Sequence, residues 1–169
     1  MSGPVTFDYC DSALTCTPGA IGRPSGSGWH SGSGARSAYG FSSGEGIAIS
    51  FNCGPNNGFV MAGFASSNYP TSGSYTNGHN LGRYLIFCYV GSIYLVESGS
   101  HKPLQGTYTA SDVLEVRLAA NGVVTYAKGG SVFYTSTASP AAHYPLYAAA
   151  AIYSPINPAL SNVQYVAAV

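Results

Sequence analysis

The sequence predicts an all-β protein, an antiparallel sandwich or barrel of about twelve short strands with no substantial helix. Three observations predict it. In residues 112–136, Leu114, Val116 and Leu118 fall on one face and Glu115 and Arg117 on the other, the period-two pattern of a half-buried strand. Turn signals then recur along the chain, which holds 22 glycines and 10 prolines. No stretch carries apolar residues at helical spacing over a normal helix length.

The elements follow in order. Residues 5–9 (VTFDY) read as a first strand. Residues 11–30 read as loop, because Pro18, Gly19, Gly22, Pro24, Gly26 and Gly28 interrupt them. Residues 35–41 suit an edge strand. Residues 46–53 alternate, with Ile47, Ile49 and Phe51 on one face, and a Gly54-Pro55-Asn56-Asn57-Gly58 turn leads to a returning strand over 59–64. Residues 65–82 form a loop long enough to suggest function. Residues 83–90 and 92–97 make a hairpin around Gly91, and 103–108 give a short strand. Asn121-Gly122 predicts a type I′ hairpin turn, since both residues tolerate positive φ, and Gly129-Gly130 suits the next turn. An alanine-rich strand spans 146–153, Pro155 and Pro158 break the chain, and 161–169 close it.

Length and charge exclude several function classes. The chain has 169 residues, enough for one two-layer domain. Six Lys and Arg balance six Asp and Glu, and no basic stripe is visible, so no nucleic-acid partner is expected. Charged residues make up only 7% while 46% are hydrophobic. So weak a charge removes the repulsion that keeps chains apart, which points to self-association into a homo-oligomer or polymer. No run reaches the roughly 18 apolar residues of a membrane helix. The residues after Met1 lack the basic and apolar regions of a secretory leader, which leaves a cytosolic or viral chain or a leader outside this sequence.

The four cysteines allow three pairings. Cys10 with Cys16 would close a short loop, and Cys53 with Cys88 could staple neighbouring strands. That pairing implies an oxidising, extracellular or cell-surface setting, with free buried thiols as the alternative. No CxxC or HxxxH spacing suggests zinc, so neither metal nor cofactor is expected.

Several segments together resemble a known fold. Gly28-Trp29-His30 leads into SGSGARSAYGFSSGEGIAISF. Tyr94-Leu-Val-Glu97-Ser-Gly99, Gly106-Thr-Tyr108, Asp112-Val-Leu-Glu-Val, Val124-Thr-Tyr126, Phe133-Tyr134-Thr135-Ser136 and Pro145-Leu146-Tyr147 follow in order. From Gly28 to Val166 the chain resembles the concanavalin A-like lectin/glucanase sandwich, in its SPRY- and laminin-G-like variety. The resemblance implies a jelly-roll sandwich over 28–169, with 1–27 as an N-terminal strand and a Gly/Pro-rich arm. Gly129-Gly130 stands where that pattern usually has Asn-Gly; either pair makes the turn.

Lectins, glycosidases, adhesion modules and structural proteins share such folds, so residues must decide the function. Retaining glucanases need two carboxyls about 5 Å apart in the groove. Asp112 and Glu115 are the nearest strand pair and point to opposite faces, which argues against an enzyme. Gly40-Phe41-Ser42-Ser43-Gly44 spells a nucleophile elbow, but a strand rather than a helix is predicted after it. The four histidines fall in predicted loops. The Asn-rich loops hold no carboxylate for calcium. A neutral glycan could stack on Tyr69 and Tyr75 and bond to Asn77, His79 and Asn80 in the long loop. Assembly would use the terminal strands, through Val5, Phe7 and Tyr9 at one end and Val163, Tyr165 and Val166 at the other. The sequence therefore favours a non-enzymatic, self-assembling subunit of a fibre, surface layer or coat. A glycan-binding lectin module is one alternative, and a viral capsid or spike protein another.

Overall fold

The computed structural model describes residues 1–28, 33–55, 58–66 and 82–167, and their regular structure is entirely β. Sixteen strands run in order. The first are β1 (Gly3–Pro4), β2 (Tyr9–Cys10), β3 (Thr15–Thr17), β4 (Ala20–Gly22), β5 (Gly34–Phe41), β6 (Ile47–Cys53), β7 (Phe59–Ala65) and β8 (Gly82–Tyr89). There follow β9 (Ser92–Glu97), β10 (Ser100–His101), β11 (Gly106–Thr107), β12 (Leu114–Leu118), β13 (Val124–Lys128), β14 (Ser131–Thr135), β15 (Leu146–Ile152) and β16 (Leu160–Ala167). Several are two- or three-residue bridges, which is why the sequence yields a smaller number.

The strands form two antiparallel 8-stranded sheets. The first runs β14-β13-β12-β6-β16-β4-β3, with β1 also on β16; the second runs β10-β9-β8-β7-β15-β5-β2, with β11 also on β9. Alternation along each strand builds the core between them. Ile47, Ile49, Phe51, Leu114, Val116, Leu118, Val124 and Tyr126 come from the first sheet, and Val60, Phe64, Ile86, Ile93, Leu95 and Ile152 from the second. Each such fully buried side chain contributes roughly 1.5–3 kcal/mol.

The N-terminal region is woven into both sheets rather than standing off as an arm. Residues 11–28, read as loop, contain the β3–β4 hairpin, and β5 is flanked by β15 and β2 instead of lying at an edge. In place of the strand expected over 5–9 there are two short ones, and both pair within the chain: β1 on β16, Gly3 with Tyr165 and Pro4 with Gln164, and β2 on β5. The terminal segments expected to pair with a second copy are therefore engaged in this one. A slip in the β6–β16 register lies between Ser161 and Gln164, and Asn162 has positive φ. Val163 there bonds the N-terminal region on two sides: its N–H donates to Gly19 and its carbonyl accepts from Val5, both at 2.9 Å. Val5, Phe7, Val163 and Tyr165 are accordingly core residues, which corrects their expected place on a free surface. Tyr9 pairs with Arg36 and stays half-exposed, and Val166 pairs with Ala48.

Both expected disulfides are present, Cys10–Cys16 and Cys53–Cys88. Each crosses from one sheet to the other, from β2 to β3 and from β6 to β8, rather than joining neighbouring strands. Polar ties cross as well. The Tyr126 hydroxyl donates across the gap to Glu97 Oε1 at 2.9 Å, and on Glu97's own side Lys102 Nζ lies 3.6 Å from Oε2. Arg23, fully buried, donates to the carbonyls of Gly28 at 2.6 Å and Ile152 at 2.8 Å. At the predicted hairpins, Gly129 and Gly130 both take positive φ as a type I′ turn requires. Gly122 does so without Asn121, whose Oδ1 instead accepts from Val123 N–H at 3.0 Å.

Cys53–Cys88 closes a loop with a sequence separation of 35, so Cys53→Ala with Cys88→Ala is expected to lower stability by about 3–4 kcal/mol. Urea denaturation measures this, and an unchanged midpoint would refute the stapling role. Burial, aided by nearby Glu97, pushes the Tyr84 hydroxyl up to about 12, and burial with the same carboxylate raises Tyr126 well above its ordinary value. A tyrosine whose folded pKa is raised keeps its full contribution below its unfolded value near 10 and loses it as pH climbs toward the folded one. Stability should therefore fall between about pH 10 and pH 12, and Tyr84→Phe should flatten that fall in denaturation curves at the two pH values.

Candidate functional site

One sheet face departs from the expected pattern. The outer face of an antiparallel sheet is usually polar. On the second sheet, the side chains pointing away from the core form a second apolar cluster of Met61, Ala65, Leu85, Phe87, Val96, Ala149 and Ala151. Strand register explains their meeting. Ala149 lies opposite Gly63, Gly63 opposite Leu85, and Leu85 opposite Val96, while Ala151, Met61, Phe87 and Tyr94 make the next row. The alanine-rich β15 supplies small side chains to both of its faces, so its sequence shows no alternation.

Toward β9 and β10 this face opens into a recess of about 290 Å³ lined by Phe87, Tyr89, Tyr94 and His101. The rings brace one another in edge-to-face and tilted pairs. Phe87 sits 5.5 Å from Tyr89 and 5.9 Å from His101, and Tyr89 is 6.0 Å from Tyr94. Phe59 continues the row, 4.8 Å from Tyr89 and 5.1 Å from Tyr153. Tyr89 remains 42% exposed. Aromatic surface with hydroxyl and imidazole groups at its rim is the composition of a recognition pocket for a ligand with both apolar and polar faces.

The opposite flank holds a cation. Arg36 on β5 lies between Tyr9 of β2 and Tyr147 of β15, its Cζ 4.4 Å and 4.2 Å from the two ring centroids. Gly40 makes this arrangement possible. A β-carbon there would meet Tyr147 Cζ at 2.7 Å, so only glycine lets the ring lie against β5.

The remaining acids are engaged in ways that serve structure. The carboxylate of Glu45 accepts from the Tyr39 hydroxyl and the Ser42 amide, which hold it below the usual carboxylate range. Asp8 and Asp11 accept from the amides of Ala38 and Gly34. Glu115 pairs with Arg117 at 2.9 Å, and Asp112 accepts from Thr109 N–H. Ser42 and Ser43 precede strand β6, so no helix follows the Gly-x-Ser-x-Gly motif. Among the described residues, no three His, Cys, Asp or Glu side chains gather as a metal site, and no helix is long and apolar enough to cross a membrane.

The sequence-predicted glycan residues Tyr69, Tyr75, Asn77, His79 and Asn80 lie outside the described residues. The aromatic recess was not singled out in the sequence. Its signal was there in outline: Phe87 and Tyr89 alternate with Ile86 and Cys88, so one set or the other had to face outward.

No protein-family model and no curated protein matches this chain. Solved structures do. The TRIM65 PSpry domain is 15% identical, with 98% of this chain and 90% of that chain covered at a TM-score of 0.67. The potassium-bound carbohydrate recognition domain of Emp46p is 11% identical over 100% and 88%, at 0.63. The chain has the concanavalin A-like sandwich fold. The SPRY domain of human HERC1 is similar too, 14% identical over 87% of this chain and 86% of that one, at 0.57. At such identities the likeness is one of fold.

Gly40→Val should push Tyr147 off β5 and cost about 1–3 kcal/mol, the range for overfilling a packed site. Thermal unfolding of the variant tests this, and a melting temperature equal to wild type would show that the ring is not held there.

Proposed function

We propose that this protein is a non-catalytic, lectin-like module that binds carbohydrate on the outer face of its second sheet. The observation that carries the reading is the recess of Phe87, Tyr89, Tyr94 and His101 on a rigid strand platform. Sugar rings present C–H surfaces that stack on aromatic faces and hydroxyls that bond to phenol and imidazole groups. A recess whose rings are fixed by packing against one another offers that surface without a large ordering cost. The carbohydrate recognition domains among the fold's neighbours support the reading.

The paired carboxylates of a glycosidase are missing from this face. Glu97 is the one acid within the strands of the second sheet, and its side chain points into the core, bonded to Tyr126. Two disulfides favour an oxidising setting, in the secretory pathway or outside the cell. The fibre, surface-layer, coat and spike readings draw no support from the neighbours, and the terminal strands they relied on pair within the chain.

A glycan array followed by calorimetry on the best ligands tests the proposal. Tyr94→Ala, with unchanged thermal unfolding, is expected to weaken binding about tenfold or more, in line with the 1–3 kcal/mol that a stacked aromatic contributes to base recognition. An array without hits, or a Tyr94→Ala variant that binds as well as wild type, would overturn it.

A further inference from the structure

Resting on the carbohydrate reading, we infer that the glycan bound by this face carries an anionic group and that Arg36 holds it. The first observation is the charge distribution. The protein is neutral overall, with six basic Lys and Arg residues against six acids. Within the strands of the second sheet, however, the bases are Arg36 and Arg83 and the only acid is Glu97. Glu97 faces the core, bonded to Tyr126 across the sandwich. Both arginines face outward: Arg83 alternates with the core residue Tyr84, and Arg36 stacks on the outward-facing Tyr147.

The second observation is the state of Arg36. It is only 7% exposed, yet its Nε is buried without a hydrogen-bond acceptor. The ion pairs among the described residues are Lys102–Glu97, Arg117–Glu115 and Lys128–Asp112, and Arg36 belongs to none. The nearby acids on its flank, Asp8 and Asp11, accept from the backbone amides of Ala38 and Gly34. Arg83 likewise has a buried Nε without an acceptor.

Rings from the strands on either side of β5 cover the guanidinium, and Gly40 is the residue that lets one of them in. A guanidinium is planar and its five N–H donors lie in that plane. Aromatic rings take its faces but offer nothing to those donors. A carboxylate or sulfate entering edge-on satisfies them with charge-assisted bonds, in the bidentate geometry that arginine provides and lysine does not. A neutral hydroxyl supplies one acceptor and no charge. The site is therefore built for an oxyanion, and on a glycan that means a uronic or sialic acid carboxylate or a sulfate ester.

Matched ligand pairs decide it. Calorimetry would compare a long sialylated oligosaccharide with its desialylated form, oligogalacturonate with its carboxyl-reduced form, and a sulfated heparin oligosaccharide with its desulfated form. At least one charged member is expected to bind about tenfold or more tighter than its neutral partner, with the advantage shrinking at high ionic strength. Which pair shows it separates carboxylate from sulfate. Arg36→Gln should reduce the charged ligand to the level of the neutral one, and Arg36→Lys should restore only part. If charged and neutral members bind equally, or Arg36→Gln leaves the preference intact, the anionic inference fails while the carbohydrate reading stands. If no member of any pair binds, both fail. Should Arg36→Gln not fold, the wild-type comparison of paired ligands still separates these outcomes.

Discussion

Ties between the two sheets set everything else in this molecule. Cys53–Cys88 joins β6, near the middle of the first sheet, to β8 of the second. Cys10–Cys16 and the Arg23 guanidinium repeat the connection toward the opposite side, and the Tyr126–Glu97 hydrogen bond makes it from β13 to β9. Between these points the filling is modest, with Ala35, Ala62, Ala148 and Ala150 among the core residues. Small side chains bury little area each. Bridges that restrict the unfolded chain compensate for that. Two buried charged groups between the sheets are tolerable because they find partners: Glu97 meets the Tyr126 phenol across the gap and the Lys102 ammonium on its own side, and Arg23 meets backbone carbonyls.

A sandwich stapled from within leaves its outer faces free to differ. The outer face of the first sheet follows the ordinary rule, with Glu115 bonded to Arg117 and Asn52 bonded to Asn162. The second sheet breaks the rule twice. It turns apolar side chains outward, and its outward charges are all of one sign. Together these account for the composition. A chain with 46% hydrophobic residues and 7% charged ones has more apolar surface than one core consumes. The surplus forms this second cluster, whose members are at most 8% exposed, rather than lying on the terminal strands.

What the sequence made legible was what depends on neighbours in the chain. Period-two runs such as 114–118 gave strands and their inward sides, and Cys10 and Cys16 gave a bridge by proximity. Distant pairings were hidden. Nothing in residues 3–4 announces that they lie beside Gln164 and Tyr165, so the N-terminus looked free. β15 was recognisable as a strand but not as two-faced, because alanine carries no contrast between sides. The site was hidden for the same reason. Tyr9, Arg36 and Tyr147 come from three separate strands, and no spacing rule connects them. Asn121 misled for a different reason: its side chain satisfies Val123 N–H locally, so the turn needs positive φ only at Gly122.

Sheet geometry constrains what such a face can hold. Arg36 is on β5 and Tyr94 on β9, four strand positions apart in the order β9-β8-β7-β15-β5. At about 4.8 Å per strand the two lie roughly 19 Å from each other. A single sugar ring cannot touch both. The outward side chains between them, Ala149, Met61 and Leu85, are at most 2% exposed, so a ligand that engages both must be an oligosaccharide that reaches from an anionic residue at β5 to a stacked ring near β9 without resting on the strands between. A monosaccharide must instead choose one end. The backbone hydrogen bonds of five consecutive strands fix this separation, so it does not adjust to the ligand as a loop site would. Selectivity for the spacing between charge and stacked ring then follows from the fold itself.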